Sequence, residues 1–135
     1  MTEPRWIERV VVDAVHLDQI REHGGLAGLR DEDALEAALA RPRHKWAYDS
    51  ATDVPTLAAA YGFGLCPGHP YRDGNKRVAF LVMVIFLEIN GLRFKAPEED
   101  VVTVMVALAA GHVSENELAR WLAEHTSRRR GRGAA

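Results

Sequence analysis

Apolar residues are arranged in two ways along this chain: at helical spacing in most segments, and as one unbroken run at residues 78–87 (VAFLVMVIFL). Ala14, Val15, Leu17 and Ile20 recur on one helix face, which predicts a first helix over residues 13–23, ended by Gly24-Gly25. Residues 7–12 ahead of it read either as a short strand or as the run-in to that helix. Leu35, Ala38 and Leu39 form the stripe of a second helix over residues 32–40, with Asp31 as N-cap and Pro42 closing it. Residues 43–52 (RHKWAYDSAT) have no period and carry Trp46 and Tyr48 among polar neighbours, so they read as a surface loop or short hairpin. Adjacent Arg43 and Lys45 give that loop the composition of a protein-docking patch, unless the two rings fold back as satellite core.

Asp53 and Pro55 open a third helix through LAAAYGFGLC, whose small residues admit a close helix neighbour; Pro67-Gly68 breaks it. The run at residues 78–87 then predicts a fourth helix with no polar face, buried on every side. It is about half of the roughly 20 residues needed to cross a bilayer, so it belongs to a protein core. Asn90-Gly91 stops it. Residues 92–95 read as a short extended piece, residues 97–110 as a helix ended by Gly111, and Ser114 with Glu117 as a capping box opening a last helix to about residue 125. That helix buries Leu118, Trp121 and Leu122. The prediction is an all-α bundle of about six helices around a buried central helix.

Composition changes this picture in one place. The 135 residues suit a single domain, and the formal charge is −2. Arg128, Arg129, Arg130 and Arg132 nevertheless crowd the last eight positions, leaving 13 basic against 19 acidic residues in the body. A folded domain over residues 1–126 and a disordered basic tail over residues 127–135 are expected, and the acidic body argues against nucleic-acid binding. Cys66 is the only cysteine, which excludes a disulfide framework or a cysteine metal site. The N-terminus MTEPRWIERV has no signal-peptide character, so a cytoplasmic location without membrane attachment is expected.

The chemistry is concentrated in HPYRDGNKR, residues 69–77, immediately before the apolar run. A helix start offers unpaired N–H groups, Gly74 permits close approach, and Lys76 and Arg77 add positive charge. Together these suit a phosphate-like anion. Asn75 could donate its amide to the same oxygens. His69 suits a general base acting on a hydroxyl, or else bonds a nearby carbonyl. Asp73 suits a hard divalent cation, and equally the N-cap of the helix. Pro70 and Tyr71 read as structural, with Tyr71 plugged into the core and Arg72 in solvent.

This stretch resembles the core motif of the Fic/Doc superfamily, a His-Pro-aromatic-x-acid-Gly-Asn run before a helix. Lys76 after the Asn is similar to the death-on-curing (Doc) toxin branch; adenylylating Fic enzymes usually carry Gly there. GGLAGLRDEDALEAALARP, FLEING and ALAAGHVSENELARWL also look like the Doc family, so the likeness covers residues 12–125. The resemblance implies a Fic/Doc-like bundle with His69 catalytic, Asp73 on Mg²⁺, and Gly74, Asn75, Lys76 and Arg77 on ATP. It also implies a Ser/Thr protein kinase that acts on elongation factor Tu to arrest translation, held in check by a cognate antitoxin.

Where adenylylating members carry a second arginine, this chain has Phe80. In Doc-like members the implied consequence is an inverted nucleotide presenting its γ-phosphate. The inhibitory Ser/Thr-x-x-x-Glu helix of some Fic proteins is not evident, so control from another chain is expected. AMP transfer by the same residues, or a helical binding module that does no chemistry, are the alternatives.

Overall fold

The computed structural model of the protein describes residues 2–129. Its helices are α1 (Arg9–His23), α2 (Glu32–Tyr48), α3 (Val54–Gly68), α4 (Asn75–Ile89), α5 (Glu98–Ala109) and α6 (Glu115–Glu124). Strands β1 (Leu92–Phe94) and β2 (Thr126–Arg128) complete it. The all-α prediction holds. Three start signals hold as well: Asp31 accepts from the Ala34 N–H, Asp53 from the Thr56 N–H, and Ser114 and Glu117 form a reciprocal capping box.

Helix α3 shares the centre with α4. Its small residues serve two neighbours. A Cβ on Gly62 would run into the thioether of Met83 in α4, and one on Gly64 would lie 2.9 Å from the Ala38 Cα in α2. Around these contacts Tyr61, Leu57, Leu65, Phe86, Met83 and Leu87 are fully buried. Each contributes about 1.5–3 kcal/mol of burial free energy, before the entropy of ordering it.

Four expectations are corrected. Helix α4 is not buried on every side: Val78, Ala79, Val82, Met83, Phe86 and Leu87 form its buried face, whereas Phe80, Leu81, Val84 and Ile85 are half-buried. An apolar run records what a helix could bury, not how far its neighbours reach. Pro42 does not close α2, which continues to Tyr48 with Pro42 buried inside it. A mid-helix proline costs about 3 kcal/mol. Here the continuation brings Trp46 edge-on to Trp6 at 6.3 Å and Arg43 to Glu8 at 2.7 Å. The expected loop at residues 43–52 is therefore mostly helix, with Trp46 packed against the core and Tyr48 exposed.

Residues 7–12 are the run-in. Ile7 is buried, its N–H donates to the Tyr61 hydroxyl at 3.0 Å, and α1 starts at Arg9. Finally, residues 127–129 are not a disordered tail. β2 pairs antiparallel with β1, Arg128 opposite Leu92, and the Arg129 N–H donates to the Gly91 carbonyl at 2.8 Å. The remainder of the proposed tail, residues 130–135, lies outside the described residues. No helix among the described residues is long and apolar enough to cross a membrane.

Candidate functional site

Residues 69–74 bridge the end of α3 and the start of α4. His69 caps α3 in the left-handed conformation, φ 48° and ψ 54°, with its side chain exposed. The segment does not support itself. It lies against the glycine-rich loop at residues 24–31, where the Arg72 N–H donates to the Gly28 carbonyl at 3.0 Å and the Arg30 and Asp31 N–H groups share the Pro70 carbonyl. The Arg30 guanidinium donates to the carbonyls of His69 at 2.6 Å and Gly68 at 3.1 Å.

Tyr71 plugs into the core as expected, and its partners come from α1. Its ring stacks on buried His16 with centroids 3.8 Å apart, and its hydroxyl donates to Asp13 Oδ1 at 2.7 Å. Burial first, then the bond to Asp13, pushes the phenol pKa up, so Tyr71 stays a neutral strut. Burial also pushes the Cys66 thiol up to about 11, against the opposing influence of Lys76, which leaves no thiolate nucleophile here.

Asp73 does not cap α4; that position is Gly74, at φ 81°. The Asp73 carbonyl accepts from His16 Nε2 at 3.0 Å, which puts the imidazole proton on that nitrogen. Its carboxylate Oδ2 accepts from the Leu26 N–H at 2.7 Å. Oδ1 takes no hydrogen bond among the described residues. No cluster of three His, Cys, Asp or Glu side chains that could hold a metal occurs among them either. A divalent cation at Asp73 would thus draw most of its ligands from phosphate oxygens and water, which is the habit of Mg²⁺.

Asn75 Oδ1 accepts from the Tyr71 N–H at 3.0 Å, and its Nδ2 donates to the Tyr71 carbonyl at 2.9 Å and lies 3.4 Å from His69 Nδ1. Only 6% exposed, Asn75 staples the loop through its carbonyl oxygen and one amide hydrogen. The first turn of α4 has neither a side-chain cap nor an acid, and Lys76 and Arg77 are exposed there. That end combines unpaired N–H groups, the positive end of the helix dipole and two cations, a combination that attracts phosphate. Beside it, Lys76, Arg77 and Phe80 face Val101, Val102, Met105 and Val106 of α5 across a largely apolar cavity of about 220 Å³.

The structure thus gathers His69, Asp73, Gly74, Lys76 and Arg77 around one helix start, with Asn75 stapling the loop beneath them. Arg30, His16 and Asp13 join the site from α1 and the loop after it, and no motif marks them in the sequence. One signal was present: three glycines between residues 24 and 28 exceed what a simple turn needs, and all three have positive φ. A Cβ on Gly25 would sit 3.2 Å from the Asp73 Cβ, so that glycine also serves the close approach to Asp73.

The Fic/DOC family profile matches residues 6–87 of this chain. The chain is 34% identical to the protein kinase doc of Escherichia phage P1 over 107 residues, 78% of this chain and 83% of that protein. It is 38% identical to the toxin Doc of Mycolicibacterium smegmatis over 74 residues, 54% of this chain and 57% of that protein.

Proposed function

Because the chain belongs to the Fic/DOC family, we propose that it is the toxin of a toxin–antitoxin pair, a kinase that moves the γ-phosphate of ATP onto a protein serine or threonine. The observation that carries this reading is the uncapped start of α4, with exposed Lys76 and Arg77 and with His69 at the other end of the preceding loop. The names of the two relatives, a protein kinase and a toxin, support it. The family resemblance points to elongation factor Tu as acceptor and to a small antitoxin as partner.

In this mechanism His69 takes the proton of the acceptor hydroxyl as its oxygen bonds to the γ-phosphorus. The bond from that phosphorus to the β,γ-bridging oxygen breaks, and ADP leaves. The N–H groups of α4, Lys76 and Arg77 meet the charge that grows on the phosphoryl oxygens, and the tied loop keeps His69 beside them. Mg²⁺ at Asp73 would supply further neutralisation of phosphate charge. Phe80 favours phosphoryl over AMP transfer. It packs edge-on against Phe94 at 5.6 Å and offers no charge where an adenylylating enzyme carries a second arginine.

Mass spectrometry of elongation factor Tu after incubation with this protein and Mg·ATP tests the reading. A phosphate adduct is expected. Its rate should fall by about 10²–10⁴ in His69→Ala, with an unchanged melting temperature. An AMP adduct would assign the adenylylating orientation instead. No adduct and no ATP turnover would leave a binding module.

A further inference from the structure

We propose that Arg30 is a positioning residue that holds His69 in its working conformation. This rests on the reading of His69 as the base. His69 is the only non-glycine with positive φ among the described residues, a backbone conformation that a side-chain-bearing residue adopts only when its surroundings impose it. One residue meets three successive carbonyls there. Arg30 Nη2 donates to Gly68 O at 3.1 Å, Nε to His69 O at 2.6 Å, and the Arg30 N–H to Pro70 O at 2.8 Å.

The end of α3 has no basic residue of its own in its last turn. Its final carbonyls carry the negative end of the helix dipole, so a guanidinium brought in from the loop at residues 24–31 caps them. Arg9, Arg41 and Arg43 form ion pairs with acids, whereas Arg30 forms none among the described residues and spends its two side-chain bonds there on the carbonyls of residues 68 and 69. A planar guanidinium fork is preorganised to meet two carbonyls at once, whereas an ammonium on a flexible stem fixes their positions less well. With those carbonyls released, residue 69 is free to relax to an extended backbone. That turns its Cβ, and with it the imidazole, away from Asn75 and the start of α4.

The test uses the full chain as wild type, Arg30→Ala and Arg30→Lys. Cα and Cβ chemical shifts of ¹³C-labelled His69 report the left-handed backbone without any substrate, and phosphoryl transfer to elongation factor Tu gives kcat and KM. Arg30→Ala should move the His69 shifts out of the left-handed range. It should also lower kcat by about tenfold or more while leaving KM for ATP within about twofold, the split of a group acting only through the base. Arg30→Lys should recover part of both effects. In a His69→Ala background Arg30→Ala should add no further loss, since the residue it positions is gone. Unchanged His69 shifts in Arg30→Ala overturn the proposal. So does a kcat loss of equal size in the His69→Ala background. If the wild-type protein transfers no phosphate, the kinase reading falls, and the shift comparison alone decides whether Arg30 holds His69.

Discussion

The two ends of α4 are opposites. At its C-terminal end the protein supplies partners for the Phe86, Leu87 and Glu88 carbonyls. Asn90 accepts from the Arg5 N–H at 2.8 Å, donates to the carbonyls of Arg5 and Phe86, and the Arg129 guanidinium reaches the Glu88 carbonyl at 3.2 Å. At the N-terminal end no side chain caps the helix, and the exposed charges carry the sign that the dipole disfavours. Each such cation costs about 0.3–1 kcal/mol in a bare helix. One end is tied down by its own fold, and the other is left without a side-chain cap or an acid.

Neutralising the open end should separate the two most sharply. Lys76→Gln with Arg77→Gln should weaken ATP binding by roughly 10²-fold, the loss of two charge-assisted contacts. The melting temperature should hold or rise. Isothermal titration and a thermal melt check both, and a clear fall in melting temperature with intact affinity would abolish the contrast. Asp73→Ala comes next. Because Asp73 is not the cap of α4, the helix should stay intact while the Mg²⁺ dependence of nucleotide binding flattens, read as affinity with and without the ion. A dependence like that of wild type removes Asp73 from the metal.

At the closed end Asn90→Ala should cost about 1–3 kcal/mol for its three hydrogen bonds and leave nucleotide affinity alone. Urea melts and titration measure the pair. The smallest effect lies at α6. Hydrogen bonds from the Ser114 N–H and then its hydroxyl lower the Glu117 pKa below the ordinary glutamate range. With the folded value depressed, the contribution is fully present above the unfolded pKa and is lost as pH falls through the folded one. Glu117→Gln should accordingly flatten the acid limb of the stability profile slightly, and an identical profile would show the capping box to be without weight.

The same contrast separates what was legible in the sequence from what was not. The caps at Asp31, Asp53 and Ser114 could be read because a cap and the N–H group that donates to it lie within three residues. The grouping of glycine and cations at the start of α4 was legible for the same reason: its glycine, cations and helix are contiguous. Pro42 misled because its local cost is outweighed by Trp46 packing against Trp6, a contact between chain positions 40 residues apart. The stapling role of Asn75 was not legible, because nothing local marks an amide that will bond both backbone groups of Tyr71. The supports of Asp73 and His69 come from 57 and 39 residues upstream, beyond any local pattern.

That separation has a kinetic side. Helices α3 and α4 can dock through Gly62 and Met83 as neighbours in the chain, whereas the carbonyls of Gly68 and His69 acquire their side-chain partner only when Arg30 arrives, 39 residues from His69. Closing long loops is the slow part of assembly, so residues 69–74 should take their final shape after the folding barrier is crossed. Arg30→Ala should then quicken unfolding and leave the refolding rate nearly untouched, visible as a shift of only one limb of a chevron plot. A slowed refolding limb would place the loop in the folding nucleus instead. A chain that collapses first and ties this loop last spends its early life as a helical bundle whose candidate site is not yet assembled.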